Sequence, residues 1–406
     1  MERIVLRDVC DIIDGPHATP TKTESGPVYL GIDAITEDGR LNEADFAHLS
    51  VEDYKKWTRR VTPTEGDIVF SYEATLGRYA VIPKGFYGCL GRRLAVIRNR
   101  SEAINTKWLY YYFRSPEWAA FIRRNTIKGS TVNRISVEDF PNYTIPAVKR
   151  EQQDRIVGVL GAIDKKILTN NAVNDNLEQQ LRLLYDYWFT QFDFPDENGK
   201  PYRSSGGQMM WNNVLKVNIP ATSKLGVLSD IAEITMGQSP SGNSLNESTG
   251  TVFYQGSSDF GAIYPKERIY TSLPNRMARS GDTLISVRAP VGAINIAYED
   301  CCIGRGLAAI RGNSKNTHFI RYLLKSNSCF FSRANDAGTT FGSITKEDLF
   351  SMPVIIPQSA TVSYFEQIAQ KQEALMSTIT AETHQLIQLR DWLLPMLMNG
   401  QATISD

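Results

Sequence analysis

Gly66-Asp67-Ile68-Val69-Phe70-Ser71 returns as Gly281-Asp282-Thr283-Leu284-Ile285-Ser286, and Gly91-Arg92-Arg93-Leu94-Ala95-Val96-Ile97-Arg98 returns as Gly304-Arg305-Gly306-Leu307-Ala308-Ala309-Ile310-Arg311. Outward from these runs, Leu6-Arg7-Asp8-Val9 matches Leu228-Ser229-Asp230-Ile231, and Ile145-Pro146 matches Ile356-Pro357. Lys128-Gly129-Ser130-Thr131 matches Ala337-Gly338-Thr339-Thr340 in the same order. The offset drifts only from 222 at Leu6 to 209 at Ile135, as small loop deletions would produce. A repeat unit of about 200 residues is a whole domain and not a solenoid turn. The chain therefore presents two similar surfaces on one polypeptide.

After each copy's Ile-Pro the pattern turns from short alternating strands to a long helical period. In the first stretch, Ile156, Leu160, Ile163, Ile167, Leu177, Leu181, Leu184 and Trp188 form a heptad seam, with Asn170 and Asn174 on the same ladder. In the second, Phe365, Ile368, Gln372, Leu375, Ile379, Glu382, Leu386, Leu389, Leu393 and Met396 do the same. The spacing predicts two coiled-coil helices. Pairing them antiparallel with Ile156 level with Met396 sets Asn170 opposite Glu382, a polar layer suited to holding register; a locally wet stretch is the alternative. The segment Asp193–Gly207, dense in Pro, Gly, Asp and Ser, reads as turns and linker.

With 406 residues, ordinary apolar content and 44 basic against 44 acidic residues, the chain holds two or three globular cores and is not a polycation. Any nucleic-acid surface must gather its basic residues on one face. The five cysteines include no pair at zinc spacing, and no apolar run reaches about 18 residues. A leader is not visible at Met1-Glu2-Arg3-Ile4-Val5, so a cytoplasmic location with reduced thiols is expected.

Enzyme motifs are missing from the sequence: no phosphate loop, no zinc helix, no nucleophile elbow and no dinucleotide fingerprint. Asp164-Lys165-Lys166 echoes a nuclease pair but falls on the helical seam, where charges solvate a face. Trp108-Leu109-Tyr110-Tyr111-Tyr112-Phe113 is assigned to core packing, because its counterpart, Phe319 to Leu324, is a plain amphipathic helix. No catalytic residue and no metal ligand is expected.

Two loops per copy suit DNA contact. The first carries Ser71, Tyr72 and Arg78 in copy one and Ser286 and Arg288 in copy two. Small and hydroxyl residues allow close approach to phosphates, and arginine can grip charge or a guanine edge. The second carries Lys128, Ser130, Thr131, Asn133 and Arg134 against Thr339, Thr340 and Ser343. Asn and Arg there pair with adenine and guanine edges; an ordinary turn is the alternative reading for either loop. Arg92 and Arg305, common to both copies, are the expected sequence-independent phosphate grip, with an internal salt bridge as the alternative.

Together these landmarks, with Phe192-Asp193-Phe194-Pro195-Asp196-Glu197-Asn198-Gly199-Lys200-Pro201-Tyr202 and Leu389-Arg390-Asp391-Trp392-Leu393-Leu394-Pro395, resemble the specificity (S) subunit of a type I restriction-modification system. The resemblance implies an α/β (α+β) chain with two mixed α/β target recognition domains, held apart by two long helices in an antiparallel coiled coil and related by a pseudo-twofold. The expected divisions are 1–150 and 223–358 for the recognition domains, 151–192 and 359–400 for the helices, and 193–222 for the linker. Each domain would read half of a bipartite site on double-stranded DNA, and the helices would dock two methyltransferase (M) subunits. The implied cofactors lie in partners: S-adenosylmethionine in the M subunits, ATP and Mg in restriction/motor (R) subunits. A stand-alone two-headed DNA-binding regulator is the rival; a neutral chain suits it poorly, because phosphate-driven affinity would be modest.

Overall fold

A computed structural model describes residues 2–129, 132–261, 263–313, 316–328, 330–331 and 342–404. The chain divides into two compact units, Met1–Asn170 with Ala381–Asp406, and Asn171–Thr380.

In the first unit, Arg3–Val5 pairs antiparallel with Thr144–Pro146 and ties the globule's ends together. Its main sheet contains β1 (Cys10–Asp14), β2 (Ile68–Ser71), β3 (Tyr79–Val81) and β4 (Leu94–Asn99), in the antiparallel order β1-β4-β2-β3. All four residues of β2 are buried, so its apolar run reflects cover on both faces. A smaller sheet sets Val28–Leu30 parallel to Gly88–Leu90. The helix Thr106–Phe113 starts where Asn105 accepts from the Lys107 and Trp108 amides at 2.9 and 3.2 Å. Every residue from Trp108 to Phe113 is buried, so the aromatic run is core.

The second unit repeats the plan. Lys224–Val227 pairs antiparallel with Pro353–Ile356. Its sheet contains β5 (Ala232–Met236), β6 (Thr283–Ser286), β7 (Ile294–Ile296) and β8 (Leu307–Gly312), in the order β5-β8-β6-β7. Phe253 and Tyr254 run parallel to Cys302 and Ile303. The segment read as linker holds more than turns: Met209–Asn212 and Val217–Pro220 form an antiparallel hairpin. Its strands are only four residues each, too short for alternation to separate them from loop.

One long helix spans Arg150–Tyr185 and continues as a π-helical turn over Asp186–Thr190; the other spans Ser359–Met398. Each unit takes part of both. The first unit's core includes Ile156 and Leu160 with Leu394, Leu397 and Met398, and the second's includes Leu181 and Tyr185 with Phe365 and Ala369. Within the first unit, Asn170 donates to Glu382 at 2.8 Å and Arg390 to Asp164 at 3.1 Å, so these helix segments run antiparallel. Asp164 also accepts from the Tyr111 hydroxyl at 2.6 Å, which gives the nuclease-like carboxylate a packing role. Within the second unit, Asn174 donates to Thr380 at 3.0 Å.

The second helix buries a different line from the one expected. Ile368, Leu375 and Leu389 are exposed, whereas Ala369, Met376, Thr383, Leu394 and Leu397 are buried. Neighbouring apolar residues (Ile368-Ala369, Leu375-Met376, Leu393-Leu394, Met396-Leu397) give two ladders one residue apart, and periodicity cannot choose between them. On the first helix and its π-helical continuation, Phe189 is buried, whereas Leu183 and Tyr187 are exposed. Among the described residues, no helix is long and apolar enough to cross a membrane.

Candidate nucleic-acid interface

The three nominated segments of each copy converge. In the first unit, the Tyr72 amide donates to the Arg93 carbonyl at 3.1 Å, which joins the loop after β2 to the Gly-Arg turn before β4. The Ala74 amide donates to the Asn133 carbonyl at 3.0 Å and the Ile135 amide to the Tyr72 carbonyl at 2.7 Å, so that the backbones of Glu73 and Arg134 form an isolated antiparallel β-bridge. Ile127 and Arg134 exchange backbone hydrogen bonds of 2.9 and 3.1 Å that close the second loop. The second unit repeats the junction: Val287 donates to Gly306 at 2.9 Å, Ile344 donates to Val287 at 3.0 Å, and Arg288 bridges Ser343. The frame is common to both units, and the side chains carried at its tips are not.

Ser71 and Ser286 have a different task from the one their hydroxyls suggested. Both are buried. Ser71 donates to the Thr75 carbonyl and accepts from the Arg78 amide at 3.2 Å; Ser286 donates to the Pro290 carbonyl at 2.6 Å and accepts from the Ala293 amide at 2.9 Å. Each hydroxyl is committed to shaping its own loop. Tyr72 is also buried, and among the described residues its hydroxyl has no hydrogen-bond partner. Burial, with Asp14 and Glu73 nearby, pushes that hydroxyl up to about 12. Arg78 is partly buried and donates to the Ile35 carbonyl at 2.9 Å, so one arm of its guanidinium holds the loop.

The remaining described candidates face solvent: Arg92, Lys128, Asn133 and Arg134 in the first unit, and Arg288, Arg305 and Ser343 in the second. Among the described residues, neither Arg92 nor Arg305 is ion-paired, so the internal salt bridge considered for that position is not formed. Ser130, Thr131, Thr339 and Thr340 lie outside the described residues. Ala74 and Arg93 hold φ of +66° and +75°, two of the four described non-glycine residues in the left-handed region. Such strain persists where surrounding structure enforces it and clusters at working surfaces.

Sequence reasoning missed a neighbouring group. Asp14 accepts from Arg60 Nη1 at 2.7 and 2.8 Å and contacts His17 Nε2 at 2.8 Å. Glu73 and Arg93 form an ion pair at 3.3 Å. A usable signal was present: the 222-residue offset at Leu6, carried nine residues on, sets Gly15 on Gly237. Their amides donate to the Leu94 and Leu307 carbonyls at 2.9 Å in both cases. A Cβ at Gly15 would meet Leu90 Cβ at 2.8 Å, and one at Gly237 would meet the Gly304 carbonyl at 2.1 Å, so close approach requires glycine twice. Among the described residues, no group of three or more His, Cys, Asp or Glu side chains could hold a metal ion.

Residues 1–179 and 220–390 match the family described as the type I restriction modification DNA specificity domain. The chain is 27% identical over 415 residues, spanning 98% of its length and 93% of the other, to a protein named as the MjaX specificity subunit of a type I restriction enzyme from Methanocaldococcus jannaschii. The crystal structure of the HsdS subunit from Thermoanaerobacter tengcongensis is 26% identical, covering 99% of this chain and 97% of that one, with a TM-score of 0.37. The type I restriction-modification S subunit from M. genitalium covers 100% of this chain and 96% of its own, with a TM-score of 0.56; at 15% identity this likeness is one of fold.

Proposed function

The chain belongs to the type I restriction modification DNA specificity family, and from that premise we propose that each unit reads one half of a bipartite, gapped site on double-stranded DNA. One observation carries the reading: the paired loops meet through equivalent backbone bridges, Glu73 with Arg134 and Arg288 with Ser343, yet present different side chains. A shared frame with dissimilar tips is what two related scaffolds need in order to recognise two different sequences.

The long helices, paired as an antiparallel coiled coil about a pseudo-twofold, set the gap between the half-sites. They also dock two methyltransferase subunits. The apolar residues left exposed on these helices, Leu183 and Tyr187 on the first and Tyr364, Leu375 and Trp392 on the second, suit that docking. Methyl transfer to adenine, with S-adenosylmethionine, belongs to those partners, and cleavage with ATP and Mg belongs to restriction/motor subunits; this chain supplies specificity and no catalysis. Methylation-sensitive sequencing of host DNA with and without the gene tests the reading. Loss of a split, gapped adenine-methylation motif is expected, and an unchanged methylome in a host with active methyltransferase subunits would overturn it.

A further inference from the structure

Asp14 closes β1 opposite Ala95, and the next residue, Gly15, is locked to Leu94 with no room for a Cβ. Its carboxylate therefore has a set position. Arg60 Nη1 lies 2.7 and 2.8 Å from the two oxygens, and His17 Nε2 lies 2.8 Å from one of them. The Arg60 side chain is 55% exposed, and among the described residues its Nε and Nη2 have no acceptor. The group adjoins the candidate interface: the His17 ring sits edge-on to the Tyr72 ring at 6.4 Å, and the charges of Arg60 and Arg92 both act on the Tyr72 hydroxyl. Among the described residues, that hydroxyl is buried without a hydrogen-bond partner, within electrostatic reach of the Arg60 guanidinium.

We propose that Arg60, held by Asp14, reads the O6/N7 edge of a guanine in the half-site bound by the first unit; the assignment rests on the half-site reading above. Arginine has five donors in a planar fork, so one arm can be restrained while another edge recognises a base. A carboxylate that holds the guanidinium before binding removes rotamer freedom that would otherwise be lost on contact. The same pairing neutralises the charge, which makes Arg60 a poor phosphate grip and leaves directed hydrogen bonding as its main capability. In the second unit the positions of Asp14 and His17 are taken by Met236 and Ser239. The carboxylate is therefore peculiar to one half-site.

The test uses the full chain assembled with its host methyltransferase subunits and a randomised duplex library, with selected sequences read for each half-site. R60K keeps the charge and loses the fork. It should lower discrimination for guanine at one position of one half-site by on the order of tenfold, leaving the other half-site and the salt dependence of binding unchanged. D14N should weaken preference at that same position. A motif selected by R60K and R60A that matches the unsubstituted protein would overturn the Arg60 assignment while leaving the half-site reading intact. Uniform weakening by R60A with preserved base preference would make Arg60 a phosphate contact and overturn it equally. If the unsubstituted complex selects no gapped motif, the half-site reading falls and the Arg60 assignment with it.

Discussion

Arg98 closes a fork on Asp67, Nε at 2.9 Å and Nη2 at 2.7 Å, and Arg311 closes the same fork on Asp282 at 2.7 and 2.6 Å. The two repeated runs that define the internal duplication are thus two halves of one device: the aspartate precedes the buried strand and the arginine lies on its neighbour. Asp67 also accepts from the Thr64 amide, and Asp282 from the Arg279 amide, each at 2.8 Å. Those contacts hold turns in which Gly66 and Gly281 sit at φ of +88° and +85°. The hydrogen bonds to the aspartates raise both arginines above their ordinary pKa.

Asp67→Asn should therefore cost stability without touching the solvent-facing side chains of the candidate interface. Asp67 is 3% exposed and the Arg98 side chain 34%. The penalty should fall below that for a fully buried pair, at about 2–3 kcal/mol. Urea unfolding with and without the substitution measures it. A change under about 0.5 kcal/mol, the size of an ordinary surface substitution, would remove the fork from the scaffold.

Asn170→Leu should loosen helix register more than it weakens the helices. Asn170 is buried and donates to Glu382 at 2.8 Å and Thr383 at 3.1 Å, whereas Glu382 keeps Lys166 at 3.1 Å after the change. A leucine there removes a buried polar requirement and with it a penalty for slipping. In the assembled complex, the selected motif should gain gaps of additional length while the half-sites keep their bases. One unchanged gap length would favour the wet-stretch reading of that layer.

The duplication, the two long helices and the aromatic core helix were legible because each rests on several residues at regular spacing. The buried line of the second helix was not, since Ile368-Ala369 and Leu375-Met376 satisfy both phases and packing chooses the smaller or more flexible member. In the candidate interface, the loop segments could be read from the sequence, but what their atoms bond to could not. Ser71 and Ser286 carry hydroxyls that sequence cannot distinguish from solvent-facing ones, and only the fold turns them onto loop carbonyls. The Asp14, His17 and Arg60 group depends on Arg60 reaching back 46 residues to Asp14, and its sign in the internal repeat is a glycine shared with the second copy.

Alkaline pH should destabilise the second unit through His318. Burial alone would lower this histidine, but hydrogen bonds with Glu366, at 2.6 Å from Nδ1, and with Glu373 outweigh burial and push it up to about 9. Glu373 moves the other way: burial would raise it, and His318 and Arg321 pull it down to about 2. The folded state thus binds the His318 proton more tightly than the unfolded chain. Its stabilisation is full below about pH 6.5 and is lost as pH rises to 9, about 3 kcal/mol at most. His318→Gln should flatten the stability profile across that window, measured by urea unfolding at successive pH values; an equally steep decline in the variant would assign it elsewhere.

Arg92 and Arg305 should contribute affinity without sequence preference. They occupy the same repeat position, both are exposed, and among the described residues neither is ion-paired. A free guanidinium on a shared frame suits a phosphate, which both half-sites offer in the same geometry whatever their bases. Each neutralised phosphate releases counterion, so Arg92→Ala should reduce the slope of log affinity against log salt by about 0.9, and the double substitution by about twice that. Fluorescence anisotropy of the assembled complex on its own gapped site, titrated with salt, reads this directly. Asn133→Ala in the same assay should weaken the cognate half-site by a factor corresponding to about 1–3 kcal/mol and leave the slope alone, because a base-edge contact neutralises no phosphate. If Arg92→Ala instead alters base preference at constant slope, the roles of the shared turn and the variable tip are exchanged.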